Sequence, residues 1–179
     1  MDEFWVFGYG SLMWNPGFPY EARLQARAFG YRRALCVRSF VHRGTPERPG
    51  LVLGLDRGGS CRGVAFQVAP RDWPEVVDYL RARELVTHVY LERHLPVALE
   101  DGRQVKALSY VVDRGHPQYA GALEVETAAR IVHASTGKSG PNHAYVDNTL
   151  SHMQDMGIRD LWLEGVAEAV LRLRHQTVA

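Results

Sequence analysis

The apolar residues of this chain change their spacing part-way along it, and that change constrains the fold more than any other feature. Over roughly the first seventy residues they come in short, β-branched and aromatic runs, whereas from Leu123 onward they recur at helical intervals. Phe4 to Tyr9 reads as a buried strand that stops at a tight turn, Gly8-Tyr9-Gly10-Ser11. Arg27 to Phe40, Leu51 to Leu55 and Arg62 to Val68 carry further strand signals, punctuated by Gly30, the Thr45-to-Gly50 loop and an expected turn at Asp56-Arg57-Gly58-Gly59. Asp72 is placed to cap a helix running to about Arg83, with Pro74 in its first turn and Glu75 completing a capping-box pattern. A hairpin is predicted from about Tyr90 to Val112, because Asp101-Gly102 separates the alternating sets Leu95/Val97/Leu99 and Val105/Ala107/Ser109. Three helices follow, marked by Val125, Ala128, Ala129 and Val132, by Tyr145, Thr149 and His152, and by Leu161, Val166, Val170 and Leu173, with Gly137, Gly140 and Gly157 between them.

Strands first, one helix between hairpins and helices last predict an α+β chain rather than a doubly wound repeat, with a curled or closed antiparallel-rich sheet. No internal repeat, low-complexity tract or linker divides it, so residues 1–179 are expected to form one domain.

Charge and cysteine content exclude several functions. Twenty-one Lys plus Arg balance twenty Asp plus Glu, and no basic run offers a footprint for nucleic acid. Cys36 and Cys61 lack a CxxC spacing and are expected to be reduced and buried. The N-terminus lacks the basic and small-residue segments of a signal peptide, and no apolar stretch is long enough to span a bilayer. These features predict a soluble cytoplasmic protein with no polyanionic partner.

Several chemical patterns fail on inspection. Gly137-Lys138-Ser139 ends like a phosphate loop, but Val132 stands where its first glycine belongs. Gly8-Tyr9-Gly10 has Met13 at the third glycine position of a dinucleotide fingerprint. The eight histidines form no HExxH and no Cys/His cluster, which argues against a metal site. Ser11 lacks a G-x-S-x-G elbow and a recognisable base, so its hydroxyl is assigned to binding rather than attack.

Taken in order, Val6-Phe7-Gly8-Tyr9-Gly10-Ser11-Leu12-Met13-Trp14, Arg83-Glu84, and Gly140-Pro141-Asn142 with Tyr145 resemble the ChaC family of γ-glutamylcyclotransferases. Phe29-Gly30-Tyr31-Arg32-Arg33, Arg43-Gly44-Thr45 and Asp101 to Leu108 are similar to its bacterial members, so the likeness extends over nearly the whole chain. The resemblance implies a small mixed β-barrel with packed helices and a helical C-terminal third. It further implies cleavage of glutathione to 5-oxoproline and cysteinylglycine without metal or organic cofactor. Glu84 matches the family's catalytic glutamate. The Tyr9-Gly10-Ser11-Leu12 turn is suited to present backbone N–H groups to a carboxylate or oxyanion, since glycine allows close backbone approach. Tyr145 matches a late-helix tyrosine whose hydroxyl would reach substrate. Arg38 and Arg43, beside His42, are candidates for the second carboxylate of glutathione, because guanidinium groups bind carboxylates bidentately. His88-Val89 departs from the pattern, standing where glycines are common, and leaves other γ-glutamyl amines open as substrates. A non-catalytic binding protein on the same scaffold is the alternative from a different class.

Overall fold

The computed structural model describes residues 2–178. Five strands form a closed barrel in the order β1-β3-β2-β4-β5: β1 (Phe4–Gly8), β2 (Ala22–Ser39), β3 (Gly50–Val68), β4 (Tyr90–Leu99) and β5 (Gln104–Val112). β1 pairs antiparallel with β3, from Phe4↔Val68 to Gly8↔Val64, and parallel with β5 through Trp5↔Ala107 and Val6↔Leu108. That single parallel seam closes the sheet on itself and leaves its first strand no open edge. The expected α+β barrel with a helical C-terminal third is therefore what this sequence forms.

The chain divides into two compact units. One comprises the chain up to Arg33 together with Leu55–Asp113, and the other Ala34–Gly54 together with the chain from Arg114 onward. The first holds β1, α1 (Trp73–Glu84), β4, β5 and parts of β2 and β3. Its core is built on the fully buried Trp5, Phe7, Phe66, Leu108 and Tyr110. Helix α1 contributes Val76 and Leu80, and Trp73 stacks on Phe4 with ring centroids 4.8 Å apart. The second unit holds α2 (Val125–Ala134), a minimal hairpin of β6 (Thr136–Gly137) and β7 (Gly140–Pro141), α3 (Asn142–Asp155) and α4 (Leu161–Thr177). Apolar positions at helical spacing, among them Ala128, Val132, Met153, Leu163 and Val166, bury its three helices against one another.

Three local expectations are corrected. Asp56-Arg57-Gly58-Gly59 does not reverse the chain but lies inside the continuous strand β3. Gly58 and Gly59 take φ of +103° and +69°, which accommodates an irregularity within a strand, while the buried Asp56 is held by Arg32 at 3.3 Å and by the Arg57 N–H at 2.9 Å. Asp72 makes no side-chain cap on α1, because its backbone is already helical (φ −92°, ψ −14°) and its carboxylate does not fold back on the first amides. The hairpin connection is wider than a two-residue turn: the Leu99 N–H reaches the Arg103 carbonyl at 2.9 Å, enclosing Glu100-Asp101-Gly102 with Gly102 at φ +93°. The hairpin register, Leu95↔Ala107 and Val97↔Val105, agrees with the alternation in the sequence.

Candidate active site

At the C-terminal end of β1 the chain bends through Tyr9 and Gly10 into a single 3-10 turn, Ser11–Met13. A methyl group on Gly8 would lie 3.0 Å from the Leu12 Cβ, so glycine is what lets the bend fold this tightly. The Met13 N–H donates to the Gly10 carbonyl at 2.9 Å and the Asn15 N–H to the Ser11 carbonyl at 2.8 Å, while the Leu12 and Met13 side chains anchor the turn in the core. Arg33, buried in β2, holds the bend from below. Its Nε donates to the Tyr9 carbonyl at 2.7 Å and a terminal nitrogen to the Arg62 carbonyl at 2.6 Å. The Ser11 and Leu12 amides open the turn and have no carbonyl behind them in the helix to accept from them, and the Ser11 side chain is exposed.

Glu84 is the last residue of α1, and its side chain is 19% exposed. The preceding Arg83 ties it to the bend. One terminal nitrogen of Arg83 donates to the Asn15 and Pro16 carbonyls at 2.8 and 3.2 Å and to the Tyr79 hydroxyl at 3.0 Å. The other donates to the Ser11 Oγ at 2.9 Å, and Nε lies 3.5 Å from the Glu84 carboxylate. Arg83 thus links Glu84 to the Tyr9–Leu12 bend within the first unit, although about seventy residues separate them in sequence.

Burial pushes the Glu84 carboxyl above its ordinary proton affinity, and the Arg83 guanidinium partly counters this. A second polar group adjoins it. The Tyr110 hydroxyl on β5 donates to Glu92 on β4 at 3.0 Å, and Glu92 takes a two-pronged ion pair from Arg81, both contacts at 2.9 Å. Burial, then the bond to Glu92, raises Tyr110 well above the ordinary phenol range, with the Glu84 charge among the smaller contributors. Arg81 in turn lowers Glu92, so this neighbour stays an anion and Tyr110 stays protonated.

The remaining expected residues belong to the second unit. Arg38 lies half-buried near the end of β2, its backbone N–H bonded to the Gln118 carbonyl at 2.8 Å. The Arg43 guanidinium sits 5.7 Å from the Tyr145 ring centroid and donates to the Pro141 carbonyl at 3.2 Å. The Tyr145 hydroxyl accepts from the Leu53 N–H at 3.0 Å. Asn142, with no exposed surface, accepts from the Leu51 N–H through Oδ1 and donates to the Leu51 carbonyl through Nδ2, both at 2.8 Å. Its place in the motif is that of a clamp on β3. The Gly137-Lys138-Ser139 segment is the tip of the β6–β7 hairpin, and the Lys138 and Ser139 amides are spent on the Val41 and His42 carbonyls at 2.8 and 2.9 Å.

Sequence reasoning quoted Arg33 and Arg83 as parts of motifs without a role, and it missed Tyr110 and Glu92. Adjacent charges such as Arg83-Glu84 carry no directional signal; only the folded position of the Asn15–Pro16 carbonyls shows where the guanidinium goes. Both cysteines are buried, and among the described residues no group of three or more His, Cys, Asp or Glu comes together as metal ligands would. Among the described residues no helix is long and apolar enough to cross a membrane.

Known proteins resemble this chain over most of its length. The glutathione-specific γ-glutamylcyclotransferase of Escherichia coli K12 is 32% identical over 169 residues, covering 94% of this chain and 73% of that protein. The mouse glutathione-specific γ-glutamylcyclotransferase 1 is 35% identical over 172 residues, covering 93% and 77%. A crystal structure of a yeast γ-glutamyl cyclotransferase specific to glutathione superposes with a TM-score of 0.83 at 24% identity, covering 97% of this chain and 100% of that one, which shows the shared fold. With the sequence model of the ChaC-like proteins matching residues 4–173, the bend, the helix-terminal glutamate and the barrel that carries them place this chain in the ChaC family.

Proposed function

We propose that the chain is a γ-glutamylcyclotransferase that cleaves glutathione to 5-oxoproline and cysteinylglycine, with Glu84 carrying the proton. The observation that bears most weight is the half-buried Glu84 carboxylate joined through Arg83 to the Ser11 bend. The relatives named above act on glutathione by their names, which supports the same substrate here.

The chemistry asks little of the protein beyond geometry and one proton carrier. In a folded γ-glutamyl group the α-amine lies within reach of its own γ-carbonyl, so holding that shape supplies much of the acceleration. The amine nitrogen bonds to the carbonyl carbon, and the carbonyl oxygen takes up negative charge that the Ser11 and Leu12 amides of the bend stabilise. Glu84 takes a proton from the attacking nitrogen and returns it to the departing cysteinyl nitrogen as the carbon–nitrogen bond breaks. No water is consumed and no electron is transferred. A free α-amine has a reference pKa of roughly 7.7–8.0 and a free Glu roughly 4.3, so the upward push from burial brings carrier and amine closer together.

The γ-glutamyl group is assigned to Tyr9, Gly10, Ser11 and Leu12. The assignment of Arg38 and Arg43 to the second carboxylate, and of Tyr145 to a substrate hydrogen bond, rests on the family resemblance. The family match over residues 4–173 takes in residues of both units, which supports a single functional domain. Two buried cysteines, a number too small for a secreted disulfide framework, and a thiol substrate fit a reducing, cytoplasmic setting.

The deciding experiment is a product assay for 5-oxoproline with glutathione on wild type and Glu84→Gln. Loss of general acid–base transfer costs roughly 10²–10⁴-fold in turnover. A Glu84→Gln protein with wild-type turnover would sink the assignment of the carrier, and wild type that binds glutathione without consuming it would favour a binding protein. One observation keeps other γ-glutamyl amines in view: His88, which follows Glu84 closely, takes φ +59° and is exposed, so the rim differs from one built on glycine. Turnover of γ-glutamyl-alanine and γ-glutamyl-lysine beside glutathione separates these readings.

A further inference from the structure

We propose that Arg83 is the positioning residue of this site, locking the proton carrier against the substrate-binding bend and holding Glu84 as a carboxylate between turnovers. The inference rests on the role given to Glu84 above. Three observations in the first unit carry it.

The first is the economy of the guanidinium. Its two terminal nitrogens reach four oxygens on the segment from Ser11 to Pro16 and on Tyr79, at 2.8–3.2 Å, while its Nε faces the carboxylate of the next residue at 3.5 Å. A planar fork with fixed donor directions couples these positions as a lysine ammonium does not. Secondly, α1 ends at Glu84 and a turn follows, in which the His88 N–H meets the Leu85 carbonyl at 3.3 Å. The carrier therefore sits where a helix loses its own hydrogen bonds, and side-chain ties must supply the rigidity that the helix interior would otherwise give. Thirdly, Arg83 is itself only 21% exposed, so the contacts are made with little water between them.

The charges around Glu84 make the second half of the role specific. On its own helix stand Arg83 and, one turn earlier, Arg81. Arg81 is committed to Glu92 of β4, which also accepts from Tyr110 of β5. With Arg81 committed to Glu92 and the Tyr110 hydroxyl donating to the same carboxylate, Arg83 is the cation that offsets burial of the Glu84 charge. Removing it raises the proton affinity of Glu84 further. The carrier is then already protonated at pH values where wild type holds it ready to accept.

Two substitutions separate geometry from charge. Arg83→Lys keeps the charge and loses the fork, and is expected to lower the plateau kcat about tenfold or more, since small misplacements of reacting groups are that costly, with the acid limb of the pH profile near that of wild type. Arg83→Met loses both, and is expected to lower kcat and also move the acid limb of kcat/KM to higher pH, with activity partly recovered in alkaline buffer. A residue with a merely structural role would lower the amount of folded enzyme without moving that limb. An unmoved limb in folded Arg83→Met refutes the charge role, and an Arg83→Lys plateau equal to wild type refutes the geometric one. If Arg83→Met does not fold, the Arg83→Lys plateau decides the proposal alone. Glu84→Gln measured alongside keeps the two questions apart: wild-type turnover in that variant defeats the carrier assignment whatever the Arg83 variants do.

Discussion

Removing the Asn142 carboxamide is expected to destabilise the protein while leaving the chemistry of the candidate site untouched. Asn142 is fully buried, and its two 2.8 Å bonds give the Leu51 backbone the donor and acceptor that a neighbouring strand would otherwise supply. Asn142→Ala orphans both Leu51 groups, each unsatisfied buried polar group costs roughly 1–3 kcal/mol, and the sum is about 2–6 kcal/mol. For a chain of this size each kcal/mol lowers the melting midpoint by roughly 2–4 °C, so the low end corresponds to a drop of about 4 °C. Asn142→Asp makes a sharper control. It keeps an acceptor for the Leu51 N–H but turns a second oxygen toward the Leu51 carbonyl, and a near-isosteric change should still lower the midpoint. Both variants can be followed by far-UV circular dichroism on heating and by urea titration. A midpoint within about 2 °C of wild type for Asn142→Ala would refute the clamp.

Gly63→Ala is expected to lower the urea midpoint strongly, because its Cβ would run into the Gly8 carbonyl and the Phe7 ring, both fixed by the β1–β3 ladder; an unchanged midpoint would show that the ladder gives way easily. His88→Gly relieves a left-handed backbone in an exposed turn and is expected to stabilise by about 0.5–1 kcal/mol, read as a rise in the same midpoint. Glu84→Gln is expected to melt no lower than wild type at neutral pH. Burial raises the Glu84 proton affinity in the folded state, so its ionised form costs stability above that range, and the glutamine removes this cost. The difference between the two proteins should shrink as the pH falls and Glu84 becomes protonated; a gap that widens on acidification would reverse the sign of the argument.

The sequence made the period change, the β4–β5 register and the three late helices readable because each depends on burial of a whole face, which local spacing records. It misled where one backbone choice decided the outcome. Gly58-Gly59 reads as a turn on propensity, yet the pull of Arg32 on Asp56 and pairing within β3 keep the strand running. Asp72 and Glu75 have the right spacing for a capping box, but the cap needs an extended backbone at Asp72 that the 3-10-like approach through Pro70 does not give. An aspartate that does cap, Asp160 with Oδ1 accepting from the Leu163 N–H at 3.0 Å, drew no notice in the sequence. At the site, the bend and Glu84 were legible as a motif, whereas Arg33, Arg83 and the Arg81–Glu92–Tyr110 network act through contacts between residues far apart in sequence. Such contacts leave no trace in spacing.

The parallel seam between β1 and β5 has a consequence for a cell making this protein. Trp5 finds Ala107 only after about a hundred further residues have left the ribosome, and closing so long a loop is slow compared with forming the hairpin or the helices. A nascent chain can pair β1 with β3 once Val68 has emerged, but the barrel has no closing stave until β5 follows.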